Sequence, residues 1–391
     1  MVITTTNDLL RKAQLAGMLE RICQELELTE TQFTTAKARY ETVGQWLADA
    51  ENPLLRASEV YPQGSMALGT TVKPLDADHD VDLVCHVPWL SHQAAPSYLK
   101  QLIGDRLRAN GRYTDILEEK PRCWRINYAN EFHLDITPSI PNPACSNGGE
   151  LVPDRKLREW KGSNPKGYRA WFEDCAKEEP RLRLMKAQFA ATRAQIESLP
   201  EPTHLRGVLR RCVQLCKRHR DLSFTNGTAE LAPISIIITT LAAKSYAYCI
   251  SQSEYDTELD VLLDVVRHMP LFIQTAPSGG ETHYFIWNET TQGENFAEKW
   301  NTDPRRARAF YEWQRGAVTA LEESEALLGL DRLAKSLGAS FGEGVVNKAL
   351  AGLTAAVSEA RGGRLTVAPS FGLGFAAPLG TEVRPNTFFG A

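Results

Sequence analysis

The 391-residue sequence has no Cys-x-x-Cys pair, no excess of basic residues, no long apolar run and no repeat of fixed period. Each absence removes a class. The eight cysteines (23, 85, 123, 145, 175, 212, 216 and 249) are scattered in apolar contexts, which suits reduced thiols better than a disulfide frame or a zinc site. With 44 Lys and Arg against 48 Asp and Glu the formal charge is −4, so no long nucleic acid is expected as a partner and any phosphate site must be local. The most apolar stretch, Ile234 to Ala243, lies between Pro233 and Lys244 and is too short to cross a bilayer, so no membrane partner is expected. Met1-Val2-Ile3-Thr4 lacks the basic flank and apolar run of a signal peptide, and a cytoplasmic location is the expectation. What remains, 43% hydrophobic and 24% charged, is an ordinary globular composition with material for two lobes.

From Asp8 to about Leu47 the apolar period is helical and fits two helices. Thr29 followed by Gln32 resembles a capping box, which starts the second near Glu30. Val81 to Val87 reads as a largely buried strand. Cys123–Tyr128 and Glu131–Thr137 read as two more, joined across Ala129-Asn130 and closed by Pro138. After Pro180 helical periods dominate, roughly over 181–198, 204–220, 231–250, 257–268, 304–328 and 342–360. A mixed first half and an all-helical second half imply an α+β fold of two lobes, residues 1–180 and 181–361, with a ligand cleft between them. Residues 362–391 hold six glycines and three prolines and read as a flexible tail, in which Phe371, Phe375, Phe388 and Phe389 are either docking points or rings packed on the body.

Asp80 and Asp82 stand two apart on a strand, so both carboxylates leave one face while Val81 and Leu83 enter the core. Two adjacent carboxylates repel, and hard oxygen ligands at this spacing suit Mg²⁺ held jointly with substrate phosphates. Upstream, Gln63-Gly64-Ser65 enters a short helix and offers backbone N–H groups and a hydroxyl to a phosphate tail. Downstream, His133-Leu134-Asp135-Ile136-Thr137 places a third acid in a strand. Three strand acids and a phosphate turn make a two-metal site for in-line attack on a nucleotide α-phosphate. Asp76 and Asp78 precede the strand and read as solvated loop acids, and His133 reads as a satisfied histidine. Further on, Arg206, Arg210, Gln214 and Lys217 share one helical stripe, which must face something anionic or water.

Gly64-Ser65, Asp80-Val81-Asp82 and Asp135 resemble the active-site signature of the polymerase-β-like nucleotidyltransferases. With Gly69-Thr70-Thr71-Val72-Lys73-Pro74 added, the pattern is similar to the bacterial CD-NTases, relatives of cyclic GMP-AMP synthase that make cyclic oligonucleotides against phage. The resemblance implies a polymerase-β-like core, a mixed sheet with flanking helices, beside the helical lobe. It implies Asp80, Asp82 and Asp135 as catalytic ligands of two Mg²⁺ ions, with Mn²⁺ as an alternative. Gln63, Gly64 and Ser65, with Lys217 and Ser235 from the helical lobe, would hold the nucleotide. NTPs would be substrates, ATP first and GTP or others after it, joined and cyclised with release of pyrophosphate, and an effector would respond to the product. Ser163-Asn164-Pro165-Lys166-Gly167-Tyr168 resembles a loop of these enzymes, whose Tyr168 either stacks on a base or belongs to the core. The small terminal residues Gly390 and Ala391 resemble a C-terminus conjugated by an E1/E2-like enzyme, which would make Ala391 the attachment point. Three alternatives remain: a linear-product transferase, a nucleotidyltransferase toxin acting on RNA or protein, and a catalytically idle nucleotide-binding module.

Overall fold

A computed structural model describes residues 6–75, 79–128, 132–154, 156–183, 207–225, 227–327, 329–362, 365–368, 372–375 and 381–382. The two N-terminal helices are α1 (Thr6–Leu26) and α2 (Glu30–Ala48), and Thr29 and Gln32 close the capping box that the sequence predicts. A short α3 (Pro53–Arg56) and β1 (Glu59–Pro62) lead to the single-turn α4 (Gly64–Leu68). Next come β2 (His79–His86), α5 (Pro96–Arg108), β3 (Leu117–Glu119), β4 (Trp124–Tyr128) and β5 (Phe132–Pro141). Two further strands, β6 (Glu150–Pro153) and β7 (Trp160–Ser163), precede α6 (Pro165–Lys177).

These seven strands form one sheet in the order β1-β2-β5-β4-β3, with β6 and β7 continuing from the far end of β5. Only β2 and β5 run parallel, at the centre of the sheet. Alternation sends Val81, Leu83 and Cys85 of β2 and Leu134 and Ile136 of β5 into one core with Leu99, Ile103 and Leu107 of α5. The Trp124 indole lies flat against α5 there and donates from Nε1 to the carbonyl of Lys100 at 2.8 Å. Only a glycine fits beneath it, because a Cβ at Gly104 would lie 2.2 Å from the ring. Pro138, expected to close its strand, instead sits inside β5. Antiparallel pairing with β4 has ended at Ile136 and pairing with β6 starts at Ile140, so the missing N–H of Pro138 breaks no ladder on that side.

The helical half holds α7 (Val208–Ser223), α8 (Ser235–Gln252), α9 (Glu258–His268), α10 (Arg305–Ala326), α11 (Leu330–Phe341) and α12 (Glu343–Gly362). It is not all helical. β8 (Gln274–Ser278) and β9 (Glu281–Phe285) form a hairpin whose turn runs through Gly279 and Gly280, both at positive φ. Nor do the cores divide at residue 180. Leu15, Leu19 and Ile22 of α1 and Tyr168 and Phe172 of α6 pack with Leu209, Ile238 and Val265 of the helical half. The expected helix over 181–198 lies outside the described residues from 184 onward. In the segment read as a flexible tail, β10 (Leu365–Ala368) pairs antiparallel with β11 (Gly372–Phe375) and β12 (Thr381–Glu382). Among the described residues no helix is long and apolar enough to cross a membrane.

Candidate active site

The register of the two parallel strands builds the site. Asp82 of β2 stands directly beside Asp135 of β5, and Asp80 beside His133, so the carboxylates emerge on the sheet face opposite the α5 core. Asp135, far along the sequence from Asp80 and Asp82, therefore meets them. Burial and the neighbouring charges of Asp135 and Asp80 raise the pKa of Asp82 to about 6, against the opposing pull of Lys217 and Arg125. That crowding of hard oxygen donors fits a divalent cation, which would relieve the repulsion. Among the described residues, however, no three His, Cys, Asp or Glu side chains are arranged to hold a metal as they stand.

Arg125, which the sequence reading passed over, lies among the acids. It pairs with Asp135 in the antiparallel β4–β5 ladder, and its guanidinium forks onto that carboxylate: Nε donates to Oδ1 at 2.6 Å and Nη2 to Oδ2 at 2.7 Å. Nη2 also lies 3.1 Å from Asp80 Oδ1. The available signal was alternation, since Trp124 and Ile126 are core residues and Arg125 between them must face the acids.

Above Asp82 sits the glycine-serine turn. Gln63 donates its backbone N–H to the carbonyl of Asp82 at 2.8 Å, which ties α4 to the acid strand. Gly64 follows at φ +61°, and a Cβ there would fall 2.6 Å from Asp82 Oδ2. Both the left-handed backbone and the close approach require glycine. Gln63 also reaches Thr137 Oγ1 with its side-chain nitrogen at 3.5 Å. Ser65 lies in the first turn of α4, and its carbonyl accepts from the N–H of Thr70 at 2.9 Å. A cavity lined by Glu30, Phe33, Met66, Gly69 and Thr71 opens beside this turn.

The helical half approaches through α7. Lys217 is buried and donates to the carbonyl of Thr70 at 2.9 Å; burial, then the neighbouring Arg220, bring its pKa down to about 8. The polar stripe predicted on this helix meets backbone oxygen rather than water. Arg210 Nε reaches the carbonyl of Leu68 at 2.9 Å, Gln214 Nε2 that of Thr71 at 3.1 Å, and Arg218 Nη1 that of Lys73 at 3.4 Å. Arg206 lies outside the described residues. Ser235 is half-buried at the start of α8, with its hydroxyl 3.4 Å from both terminal nitrogens of Arg220.

Other expectations resolve simply. Tyr168 is a core residue: Asn164 caps α6, and the phenol pairs with Thr240 Oγ1 at 2.8 Å among buried side chains. All eight cysteines are free thiols, and Cys212 and Cys216 are buried in the helical core. Asp76, Asp78, the turn at Ala129-Asn130, Phe388, Phe389 and Ala391 lie outside the described residues.

A family model described as the Second Messenger Oligonucleotide or Dinucleotide Synthetase domain matches residues 14–176. A c-di-GMP synthase of Roseivirga ehrenbergii is 30% identical over 382 residues, covering 97% of this chain and 98% of that protein. The chain belongs to the bacterial CD-NTases. A cyclic dinucleotide synthase, CdnG of Bradyrhizobium diazoefficiens, is 24% identical over 357 residues, 86% of this chain and 82% of the relative. The structure of that CD-NTase in complex with GTP matches the present fold with a TM-score of 0.66 at 20% identity, covering 87% of this chain and 99% of the other. This CD-NTase is accordingly a nucleotidyltransferase.

Proposed function

We propose that this CD-NTase joins and cyclises NTPs into a cyclic dinucleotide, that GTP is a substrate, and that the reaction requires Mg²⁺. The observation that carries the reading is the side-by-side register of Asp82 and Asp135, with Asp80 on the same face, in a chain matched end to end by a c-di-GMP synthase. That relative moves GTP ahead of ATP as the first substrate to test. When bound, two Mg²⁺ ions would neutralise the triphosphate and make the attacking ribose hydroxyl more acidic.

Asp80, Asp82 and Asp135 would hold the ions, and Asp135 would take the hydroxyl proton. Gln63, Gly64 and Ser65 would bind the triphosphate from the α4 side, and Lys217 and Ser235 from the helices. The chain orients two nucleotides and neutralises charge, with no covalent enzyme intermediate. Mn²⁺ would substitute for Mg²⁺. The product would signal phage infection to an effector.

The test is mass spectrometry of the products from the four NTPs, singly and in pairs, with Mg²⁺, before and after phosphatase. A phosphatase-resistant product containing two guanylate units is expected. A product that stays linear, or label transferred only to protein or RNA, would overturn the reading.

A further inference from the structure

The geometry around Arg125 points to a function for this residue that rests on the reading above. A guanidinium fork occupies both oxygens of Asp135, on the side from which each presents its lone pairs most directly, and the same Nη2 reaches across to Asp80. One cation thus already bridges two of the three acids, at the place where a divalent ion would need those oxygens. The arrangement is well anchored. Arg125 sits within β4, paired to β3 on one side and β5 on the other, and its side chain is only 21% exposed. Asp135 itself is 15% exposed, whereas Asp80 is 56% exposed.

We propose that Arg125 is a stand-in cation. In the nucleotide-free enzyme it holds Asp135 and Asp80 together and competes with divalent metal. When an NTP arrives, its phosphates supply new acceptors for the guanidinium and further ligands for the metal, so Arg125 releases oxygens of Asp135 and the ion enters. Metal loading is thereby coupled to substrate binding, and Arg125 acts as a positioning residue.

The experiment is a titration of the full-length protein with Mn²⁺, followed by electron paramagnetic resonance of the free ion. It is run with and without a non-hydrolysable GTP analogue, on the wild type, Arg125→Met and Arg125→Lys. Removing a positive charge about 3 Å from two carboxylates strengthens nucleotide-free Mn²⁺ binding by about tenfold or more. The gain produced by the nucleotide shrinks to match. Arg125→Lys, which keeps the charge and loses the fork, falls between the two. Either variant, with wild-type far-ultraviolet circular dichroism and nucleotide-free Mn²⁺ affinity within about twofold of the wild type, would overturn the inference. Should Arg125→Met fail to fold, the same twofold criterion applied to Arg125→Lys decides. Wild-type protein that binds no Mn²⁺ even with nucleotide would instead overturn the metal-site reading, and this inference with it.

Discussion

The sheet side and the helix side of the candidate site bring charge to it by different means. On the sheet, Asp80, Asp82 and Asp135 are placed by backbone pairing, so their positions follow from register and alternation alone. On the helix, Lys217 is placed by reach: a long side chain extends from α7 to a carbonyl on the segment that follows α4. The first arrangement buries Asp82, crowds it with like charges and so destabilises its ionised form. The second buries a cation near Arg220 and destabilises the ionised form of Lys217. Both walls therefore carry electrostatic strain that a metal-bound triphosphate, with charges of both signs, would relieve. The lesson is that charge fixed by strand register can be read from a sequence, whereas charge fixed by reach needs its tertiary partner.

The largest effect that breaks this comparison comes from the acids themselves. Asp82→Asn and Asp135→Asn should each lower product formation by on the order of 10³-fold or more, because an amide is a poor metal ligand. Their effects on stability should have opposite signs. The raised pKa of Asp82 means that its ionisation opposes folding above about pH 6, a cost that disappears as pH falls through that value toward the ordinary carboxylate range. Asp82→Asn should therefore stabilise metal-free protein at pH 7.5 by about 1–2 kcal/mol, and by less at pH 5. Asp135→Asn loses a charged fork and should destabilise by about 1–3 kcal/mol. Thermal unfolding in a chelator at the two pH values checks both; a shared sign would mean that Arg125 and crowding do not set the balance.

Gly64→Ala tests the contact between turn and acid. With φ at +61° and its new methyl group against Asp82, the variant should lose on the order of 10²-fold in turnover and about 1–2 kcal/mol in stability. Wild-type kcat and melting temperature would show that the turn moves freely.

The smallest effect sharpens the helix side. Lys217→Met should raise KM for GTP by about tenfold with a lesser change in kcat, and cost little stability, since it removes a buried cation along with one hydrogen bond. Lys217 loses its proton as pH rises through about 8, so affinity for a GTP analogue should weaken across that range. Fluorescence titration from pH 7 to pH 9 measures the slope, which Lys217→Met should flatten.

Much of this was legible in the chain. The Thr29–Gln32 pair marked the start of α2, and the Asp80-Val81-Asp82 alternation marked a strand with an acid face. The helix α5 was passed over, since Ala95 provides no side-chain cap, although Pro96 in its first turn is a start signal. The β8–β9 hairpin carried a signal in Gly279-Gly280, the residue pair that a tight hairpin turn favours, but the helical periods around it dominated the reading. Arg125 stayed hidden because its partner depends on the register of the hairpin, which sets it opposite Asp135. The stripe on α7 was recognised while its partner was not, because backbone carbonyls leave no mark in a sequence.

That stripe has a mechanical consequence. Arg210, Gln214 and Lys217 of the stripe, with Arg218 beside it, rivet one helix to four carbonyls between Leu68 and Lys73, directly behind the glycine turn. The helical half is thus fastened to the segment behind the glycine turn, so the ammonium of Lys217 and the backbone of Thr70 are held as one unit.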